Sequence, residues 1–389
     1  MSYQPGRHFL QLPGPTNVPD RVLRAMAAPT VDHRGPGFPD LTREVLEGLK
    51  EVFGTTGETF VFPASGTGMW EAALVNTLSP GDAVLAFDQG FFSAGWQNVA
   101  TKMGLVVHVV PGDWRRAVDA GILEAKLAED PEHAYKAVLV VHNETSTGVV
   151  SDIGALGEAL RRTAHPALLM VDAVSSLGSV DFRQDEWRVD VTISGSQKGL
   201  MLPPGLGFAA VSERALAACE YAGLPKAYWD WRRMQAFNEE GYFPYTPATN
   251  MLMGLREALR MLNEEGFTNV VARHARLAEA TRRAVDAWGL ELYAERPQDR
   301  SNTLTSVVLR GSISADDLRA VILERFNMSL GSGLGRLKGQ VFRIGHLGDV
   351  NDLMLAGTLC GIELGFRVTG LPFNDGGVGA ALDYMAQAQ

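Results

Sequence analysis

The sequence has little cysteine, no long apolar run and a shortage of positive charge. Its 389 residues include only two cysteines, Cys219 and Cys360, which excludes a disulfide scaffold and a four-cysteine zinc site. No stretch approaches the roughly 18 uninterrupted apolar residues of a transmembrane helix, so we expect no membrane partner. Lysine and arginine number 35 against 45 acidic residues, a net charge of -10. This argues against a general nucleic-acid binder, although a local basic cleft could still hold an anion.

The first twenty residues lack the apolar core of a signal peptide, because Pro5, Pro13, Pro15 and Pro19 interrupt them. Together with the low cysteine count, this predicts a cytoplasmic protein. The same prolines predict an irregular N-terminal arm over residues 1–20. Such an arm must lie on its own domain or on a partner subunit.

Glycine, by contrast, is abundant. It provides 42 of the 389 residues, a larger share than the typical ~7%. No Gly-X-Y period is present, so the chain is not collagen-like. The glycines must therefore serve turns, helix ends and close backbone approaches.

From about residue 60, short apolar runs alternate with amphipathic stretches. The runs predict strands at 59–65, 83–88, 105–111, 137–144, 167–174, 189–196 and 206–212. Helical patterns lie between them, for example at 67–78, 122–130 and 152–164. The alternation predicts an α/β fold with a mostly parallel seven-stranded sheet. Only a short Pro-Pro-Gly loop separates the last two runs, which predicts one antiparallel strand in a mixed sheet.

The pattern changes after about residue 248. Two long helices are predicted at 251–265 and 269–288, with Gly266 between them as a helix C-cap. A smaller α+β unit follows, with strands at 303–309 and 340–346 and helices at 316–326 and 352–366. We therefore predict an N-terminal arm (1–20), a large domain (21–265) and a small C-terminal domain (266–389).

Polar residues follow several of the predicted strands, where ligands bind in open α/β sheets. After the first strand, Ser65-Gly66-Thr67-Gly68 opens a helix whose N–H groups suit a phosphate. The alternative is a helix N-cap with turn glycines. The segment is neither a P-loop nor a dinucleotide-binding Gly-x-Gly-x-x-Gly.

Two further strand ends carry polar groups. His142 to Gly148 form either a site or a hydrogen-bonded loop in which Ser151 or Asp152 caps the next helix. Asp172 directly follows five apolar residues and needs a partner there. It could cap a turn, bind a metal or hold a cationic ligand.

Lys198 lies between a buried strand and an apolar Pro-Gly loop. A lysine in an apolar pocket has a lowered pKa and suits Schiff-base formation. The alternative is a side chain that extends to solvent. The helix start, the acid and the lysine occur in an order that suits pyridoxal 5′-phosphate, which needs N–H donors, a carboxylate for its ring nitrogen and an amine for its aldehyde.

Over nearly the whole chain, the sequence resembles the class V aminotransferases of fold type I, and in particular their bacterial serine–glyoxylate branch. The segments that carry the resemblance are LPGPTNVPDRVLRAM (12–26), FPASGTGMWEAALVNTLSPGD (62–82), VLVVHNETSTGV (138–149), ALLMVDAVSSLGS (167–179), SGSQKGLMLPPGLGF (194–208) and VFRIGHLGD (341–349).

The resemblance implies a pyridoxal 5′-phosphate enzyme in which Lys198 forms the Schiff base and moves a proton, and Asp172 pairs with the pyridinium nitrogen. Arg343 would clamp the substrate carboxylate in bidentate fashion, as arginine does and lysine does not. The remaining implied contacts to the cofactor come from Gly66, Thr67, Gly68 and Gln197 at the phosphate, Thr145 near the phenolic oxygen, Val174 on one ring face, Phe92 or Trp96 on the other, and Thr246 from the neighbouring subunit.

The implied reaction is a ping-pong transamination between L-serine and glyoxylate that gives hydroxypyruvate and glycine. Alanine or aspartate as the amino donor is the alternative. The partners would be a small amino acid and a 2-oxo acid, in a homodimer with an intersubunit site, a tetramer being left open. The roles of His33, Arg34 and His346 stay open at this point.

The alternative functions are a cysteine desulfurase, a dinucleotide-dependent oxidoreductase and a cofactor-free binding protein. A cysteine desulfurase needs a nucleophilic cysteine before the Arg343 strand, and the segment 331–339 has none. A dinucleotide-dependent oxidoreductase would need a Gly-x-Gly-x-x-Gly that is absent. A cofactor-free binding protein remains a formal alternative.

Overall fold

The computed structural model describes residues 5–311 and 313–387. The strands are β1 Phe9–Gln11, β2 Glu58–Ala64, β3 Ala83–Phe87, β4 Val106–Val110, β5 Tyr135–Val141, β6 Asn143–Glu144, β7 Val149–Val150, β8 Leu168–Asp172, β9 Val191–Gly195, β10 Gly205–Val211, β11 Glu291–Leu292, β12 Leu304–Val308, β13 Met328–Ser332 and β14 Val341–Gly345. The helices are α1 Asp20–Met26, α2 Phe38–Phe53, α3 Gly66–Thr77, α4 Phe91–Lys102, α5 Ala120–Ala128, α6 Ile153–Thr163, α7 Glu213–Ala218, α8 Trp231–Glu239, α9 Thr249–Glu265, α10 Phe267–Ala287, α11 Ala315–Phe326, α12 Asp352–Thr369 and α13 Gly377–Gln387.

The large sheet confirms the predicted α/β architecture. Its seven strands run in the order β2-β10-β9-β8-β5-β3-β4. The strands β9, β8, β5, β3 and β4 are parallel, and β10 is antiparallel to both of its neighbours. The carboxyl ends of β2, β5, β8 and β9 therefore meet at one edge of the sheet, and this edge carries the polar residues singled out above.

The small sheet corrects the prediction of an irregular arm. Its order is β1-β13-β14-β12-β11, and β1, from within the arm, pairs in parallel with β13. The arm thus lies on the C-terminal part of its own chain. Neither β1 nor β13 was predicted, because the pairing joins residues more than 300 positions apart and leaves no local pattern.

The two larger hydrophobic cores of the described residues meet along α10. The first packs around the large sheet and extends to Val270, and the second begins at Leu277. As predicted, Gly266 separates α9 from α10, with a positive φ of 82°. The division into a large and a small domain at residue 265 stays a prediction. Residues 1–4 of the predicted arm, and Ser312 and residues 388–389 of the predicted small domain, lie outside the described residues.

Across the described residues, each helix is too short or too polar to cross a bilayer.

Candidate active site

A cavity of about 230 Å³ opens at the carboxyl edge of the large sheet. Its wall contains eight of the residues predicted for the site, namely Gly66, Thr67, Phe92, Thr145, Asp172, Val174, Gln197 and Lys198. The wall also contains Asn143, from the predicted polar segment after β5, and residues that were not predicted, among them Gly14 and Trp70. The parallel strand order brings these segments together because it places their carboxyl ends at one edge.

Lys198 follows β9 and is only 7% exposed. Its Nζ donates to Ser175 Oγ at 3.2 Å and to the carbonyl oxygen of Pro13. Burial, helped by the positive charge of Arg343, lowers the pKa of Lys198 to about 7. Much of the amine is therefore neutral at pH 7, and the neutral form is the nucleophile. The predicted burial is confirmed, and the alternative of an exposed side chain is wrong.

Asp172 ends β8 and is 4% exposed. Its Oδ1 accepts from the Val174 N–H at 2.8 Å, and its Oδ2 accepts from Trp70 Nε1 at 2.7 Å. Burial raises the pKa of Asp172 to about 6, although the two donated hydrogen bonds oppose the rise. The carboxylate thus caps a turn and also lines the cavity. The interpretation as a turn cap and the interpretation as a partner for a cationic ligand therefore do not exclude each other. Among the described residues, no cluster of potential ligands could hold a metal ion.

The predicted phosphate segment forms the start of α3. The first N–H groups of a helix have no partner within it. The N–H groups of Gly68 and Met69 are already used, because they donate to the carbonyl of the N-cap residue Ser65 at 3.0 and 3.3 Å. Gly66 and Thr67 lie in the cavity wall instead. Gly68 is outside the wall, and its contact to a phosphate stays a prediction.

Gln197 and Gly66 shape the same part of the cavity. The Oε1 atom of Gln197 is buried without a hydrogen-bond partner in the described part of the chain. A Cβ atom at Gly66 would lie 2.5 Å from Val174 Cγ2, closer than side chains tolerate. Glycine therefore lets the start of α3 lie close against Val174.

The aromatic wall is provided by α4. Phe92 lines the cavity, whereas Trp96, one turn later, is 1% exposed and stacks on Trp70 with ring centroids 6.3 Å apart. Of the two aromatic candidates, the structure brings Phe92 to the cavity. Val174 and Thr145 lie in the same wall, and the Thr145 hydroxyl hydrogen-bonds that of Ser175.

Arg343, on β14, lies behind Thr145 rather than in the cavity wall. Its Nη1 donates to the Thr145 carbonyl at 2.6 Å, and its Nε donates to the Ser332 carbonyl at 2.7 Å. Burial lowers the pKa of Arg343 to about 10, which leaves it protonated at neutral pH. These two bonds fix the guanidinium plane and use only two of its five N–H groups.

The structure separates the other candidates from the cavity. Thr246 is exposed on this chain, and Arg34 is exposed while His33 is half-buried. His346 is fully buried, and its ring nitrogens hydrogen-bond Thr305 Oγ1 and the Asn302 carbonyl. Burial lowers the pKa of His346 to about 3, so it is a neutral structural residue.

Glu144 is a residue of the site whose importance sequence reasoning missed. It is fully buried, and its Oε2 accepts from the N–H groups of Phe92 and Ser93 at 3.1 and 3.0 Å. Its Oε1 accepts from the Ser146 N–H and hydroxyl at 3.0 and 2.7 Å. A carboxylate is favoured at a helix N-terminus, and burial raises the pKa of Glu144. Glu144 thus ties the Thr145 loop to the helix that carries Phe92.

The predicted loop interpretation of the same segment is also confirmed. Asp152 caps α6 by accepting from the Ala155 N–H at 2.9 Å. The loop after β5 therefore caps the following helix and contributes Asn143 and Thr145 to the cavity.

The N-terminal arm covers the lysine, and this too was missed. The Thr16 N–H donates to the Gln197 carbonyl at 3.1 Å, and Thr16 Oγ1 donates to the Lys198 carbonyl at 3.2 Å. Gly14 has a φ of 117°, and a Cβ atom there would overlap Lys198 Cδ. The signal in the sequence was a glycine between two prolines, Pro13-Gly14-Pro15. The need for glycine there is explained only by the contact with Lys198, which the sequence does not show.

The chain is similar to known proteins over nearly its whole length. The family model described as Aminotransferase class-V matches residues 8–336. The chain is 49% identical to a serine–glyoxylate aminotransferase of Methylorubrum extorquens, over 99% of this chain and 97% of that protein. It is 44% identical to an L-aspartate–glyoxylate aminotransferase of Paracoccus denitrificans, over 97% of this chain and 96% of that protein.

Solved structures share the fold. The crystal structure of a ureidoglycine–glyoxylate aminotransferase from Bacillus subtilis superposes with a TM-score of 0.90 at 28% identity. The superposition covers 99% of this chain and 100% of that one.

Proposed function

Because the chain belongs to the aminotransferase class-V family, we propose that it transfers the amino group of L-serine to glyoxylate in a ping-pong reaction, giving hydroxypyruvate and glycine. The chain is an aminotransferase of fold type I, and its family depends on pyridoxal 5′-phosphate. The observation that carries the proposal is one cavity lined by both a buried lysine with a pKa of about 7 and a buried aspartate.

The wall of the cavity fits pyridoxal 5′-phosphate. The helix start at Gly66 and Thr67 and the NH2 donors of the Gln197 side-chain amide suit the phosphate end. Lys198 and Asp172 supply the amine and the carboxylate that the aldehyde and the ring nitrogen need. When bound, the cofactor supplies an aldehyde that condenses with amines and a ring that accepts electrons. Phe92 and Val174 would contact its two ring faces, with Thr145 near its phenolic oxygen.

In this proposal Lys198 has two tasks. Its neutral Nζ holds the cofactor between turnovers, and once displaced by an amino acid it takes the proton from the substrate Cα. Asp172 stays ionised and keeps a proton on the ring nitrogen by charge attraction. Arg343 binds the substrate carboxylate through its free N–H groups and so orients the Cα–H bond.

The charge of the wall favours a donor with an uncharged side chain. Lys198 is the only cationic residue among those that line the cavity in the described chain. Aspartate as the donor would need a second cation to bind its side-chain carboxylate. Arg34 does not supply it, because Arg34 is exposed and does not line the cavity. L-Aspartate remains the second candidate because of the Paracoccus denitrificans relative, and alanine remains a third donor that the wall does not disfavour.

A panel of amino donors tests the substrate. With glyoxylate as acceptor, kcat/KM for L-serine should exceed that for L-aspartate by at least about tenfold, which corresponds to about 1.4 kcal/mol of transition-state preference, and it should also exceed that for L-alanine. Steady-state kinetics with each donor measure the ratios. An aspartate or alanine value that equals or exceeds the serine value would show that the proposed donor is wrong.

Exchange of Arg343 for lysine tests the carboxylate site. Lysine keeps the charge but loses the planar fork. Breaking a buried charge-assisted contact costs about 2–5 kcal/mol, so kcat/KM should fall at least roughly 30-fold for both serine and glyoxylate, mostly through KM. Initial rates at varied concentrations of each substrate separate kcat from KM.

Arg319, on helix α11, offers a matched control. It donates to the Leu330 carbonyl and to Asp316 and lies outside the cavity wall. Arg319→Lys should keep both KM values within about twofold, because Arg319 does not line the cavity. Unchanged KM values in Arg343→Lys would rule out the proposed carboxylate contact.

We also propose a homodimer in the cytoplasm, with Thr246 of one subunit reaching the phosphate site of the other. Thr246 is exposed and does not line the cavity of its own chain, and both observations support this arrangement. The division into an arm, a large domain to residue 265 and a small domain belongs to the same proposal.

A further inference from the structure

Trp70 contacts the carboxylate that the proposed cofactor requires. It lies in the first half of α3 and is 5% exposed. Its Nε1–H donates to Asp172 Oδ2 at 2.7 Å, and both side chains line the cavity. A hydrogen bond to an ionised acceptor is roughly twice as strong as one between neutral groups.

Packing holds the indole of Trp70 in one orientation. The ring stacks on Trp96 with an interplanar angle of 13°. On α4, a Cβ atom at Gly95 would lie 3.1 Å from two ring carbons of Trp70, so the helix backbone approaches the indole closely. The ring has little freedom to rotate, and its N–H stays directed at Asp172.

The carboxylate of Asp172 is fixed from two sides. The Val174 N–H holds Oδ1, and the Trp70 N–H holds Oδ2. Each carboxylate oxygen has two lone pairs, so each keeps one for a ligand in the cavity. The donated hydrogen bond from Trp70 also favours the ionised carboxylate, against the effect of burial.

We propose that Trp70 is a positioning residue that orients Asp172 and keeps it ionised opposite a protonated ring nitrogen. The inference deepens the proposed function and depends on it, since it concerns the carboxylate that would pair with the pyridoxal ring. If Trp70 only filled space, its N–H would be dispensable.

Trp70 and Trp96 form a matched pair for the test. Both are buried indoles in the same stack, but Trp96 Nε1 has no hydrogen-bond partner in the described part of the chain. Trp70→Phe and Trp96→Phe therefore remove the same atoms from the same cluster, and only the first removes a bond to Asp172. Trp70→Phe should weaken pyridoxal 5′-phosphate binding roughly tenfold or more, and Trp96→Phe should change it far less.

The protonation state of the cofactor's ring nitrogen directly reports the role of Trp70. With cofactor labelled by ¹⁵N at that nitrogen, the bound resonance should move towards the unprotonated position in Trp70→Phe and stay at the wild-type position in Trp96→Phe. In Trp70→Phe kcat should fall, while the KM for glyoxylate should change little because Arg343 is untouched. Equal dissociation constants and equal ¹⁵N shifts in the two variants would overturn the role of Trp70.

A measurement on the cofactor-free wild type keeps the inference testable if Trp70→Phe does not fold. Of the seven tryptophans, one indole N–H resonance should titrate with a midpoint near pH 6, the pKa to which burial raises Asp172. This titration should be absent in Asp172→Asn. A wild type that forms no visible band with the cofactor would refute the proposed function, whereas the absence of the titrating indole would refute the Trp70–Asp172 contact.

Discussion

Lys198→Ala should lose the visible absorption band of bound pyridoxal 5′-phosphate, and its kcat/KM should fall by at least about 10³-fold. General acid–base catalysis alone contributes roughly 10²- to 10⁴-fold, and the variant also loses the nucleophile that holds the cofactor. The pocket offers no substitute, since Lys198 is the only cationic residue among those that line it in the described chain. Absorption spectra and steady-state rates, with thermal unfolding as a check on the fold, measure the loss.

The pH dependence of cofactor capture makes this prediction more specific. Only the neutral amine attacks the aldehyde, and burial lowers the pKa of Lys198 to about 7. The rate at which the band forms in the cofactor-free wild type should therefore rise with pH, with a midpoint near 7. An ordinary exposed lysine would give a midpoint near ~10.4.

Lys102 provides the control. It is an exposed lysine in the last turn of α4, and Lys102→Ala should keep the band, its midpoint and the rate. A Lys198→Ala protein that retained both the band and turnover would disprove the assigned role of the lysine.

Asp172→Asn should lower kcat by roughly 10²- to 10³-fold, the usual effect of losing one preorganised charge partner. Asparagine has nearly the shape of aspartate and can still accept from Val174 or Trp70, but it carries no charge to keep the ring nitrogen protonated. The fold should persist while the cofactor binds more weakly. Rates at saturating cofactor separate the catalytic loss from the binding loss.

The stability of the cofactor-free chain tests the same residue without catalysis. Burial raises the pKa of Asp172 to about 6 in the folded state, against ~3.9 for an unfolded chain. Between these values the folded state binds more protons, so its stability falls as the pH rises. The free energy of unfolding of the wild type, relative to Asp172→Asn, should therefore decrease from about pH 4 to about pH 6. A constant difference over this range would show that the carboxyl does not titrate as the structure indicates.

Sequence reasoning was reliable where local patterns decide the structure. The seven strands of the large sheet follow from continuous apolar runs, and the short Pro-Pro-Gly loop correctly predicted that β10 is antiparallel. The placement of Lys198 and Asp172 in one cavity follows from the same pattern, because parallel strands bring their carboxyl ends together.

It failed where contacts join distant segments. The Phe92 amide and the Glu144 carboxylate that caps α4 are 52 residues apart, and Trp70 and Asp172 are 102 residues apart. No periodicity in the sequence records such pairs. Thr246 is a different case. Its predicted contact to the phosphate requires a second subunit, so the contacts of Thr246 within one chain do not test it.

The pairing of β1 with β13 also determines how early during synthesis the small sheet can form. Phe9 pairs with Met328, and the side chains of His8 and Asn327, which hydrogen-bond beside this pair, are 319 positions apart. At roughly 5–20 residues per second, the two strands emerge roughly 15–65 s apart. Until β13 is made, β1 has no neighbouring strand and Pro13 lacks the packing of Gly331 against it. β1 can therefore join its sheet only after residue 328 has been translated, whereas Thr16 hydrogen-bonds Gln197 and Lys198, which are made earlier.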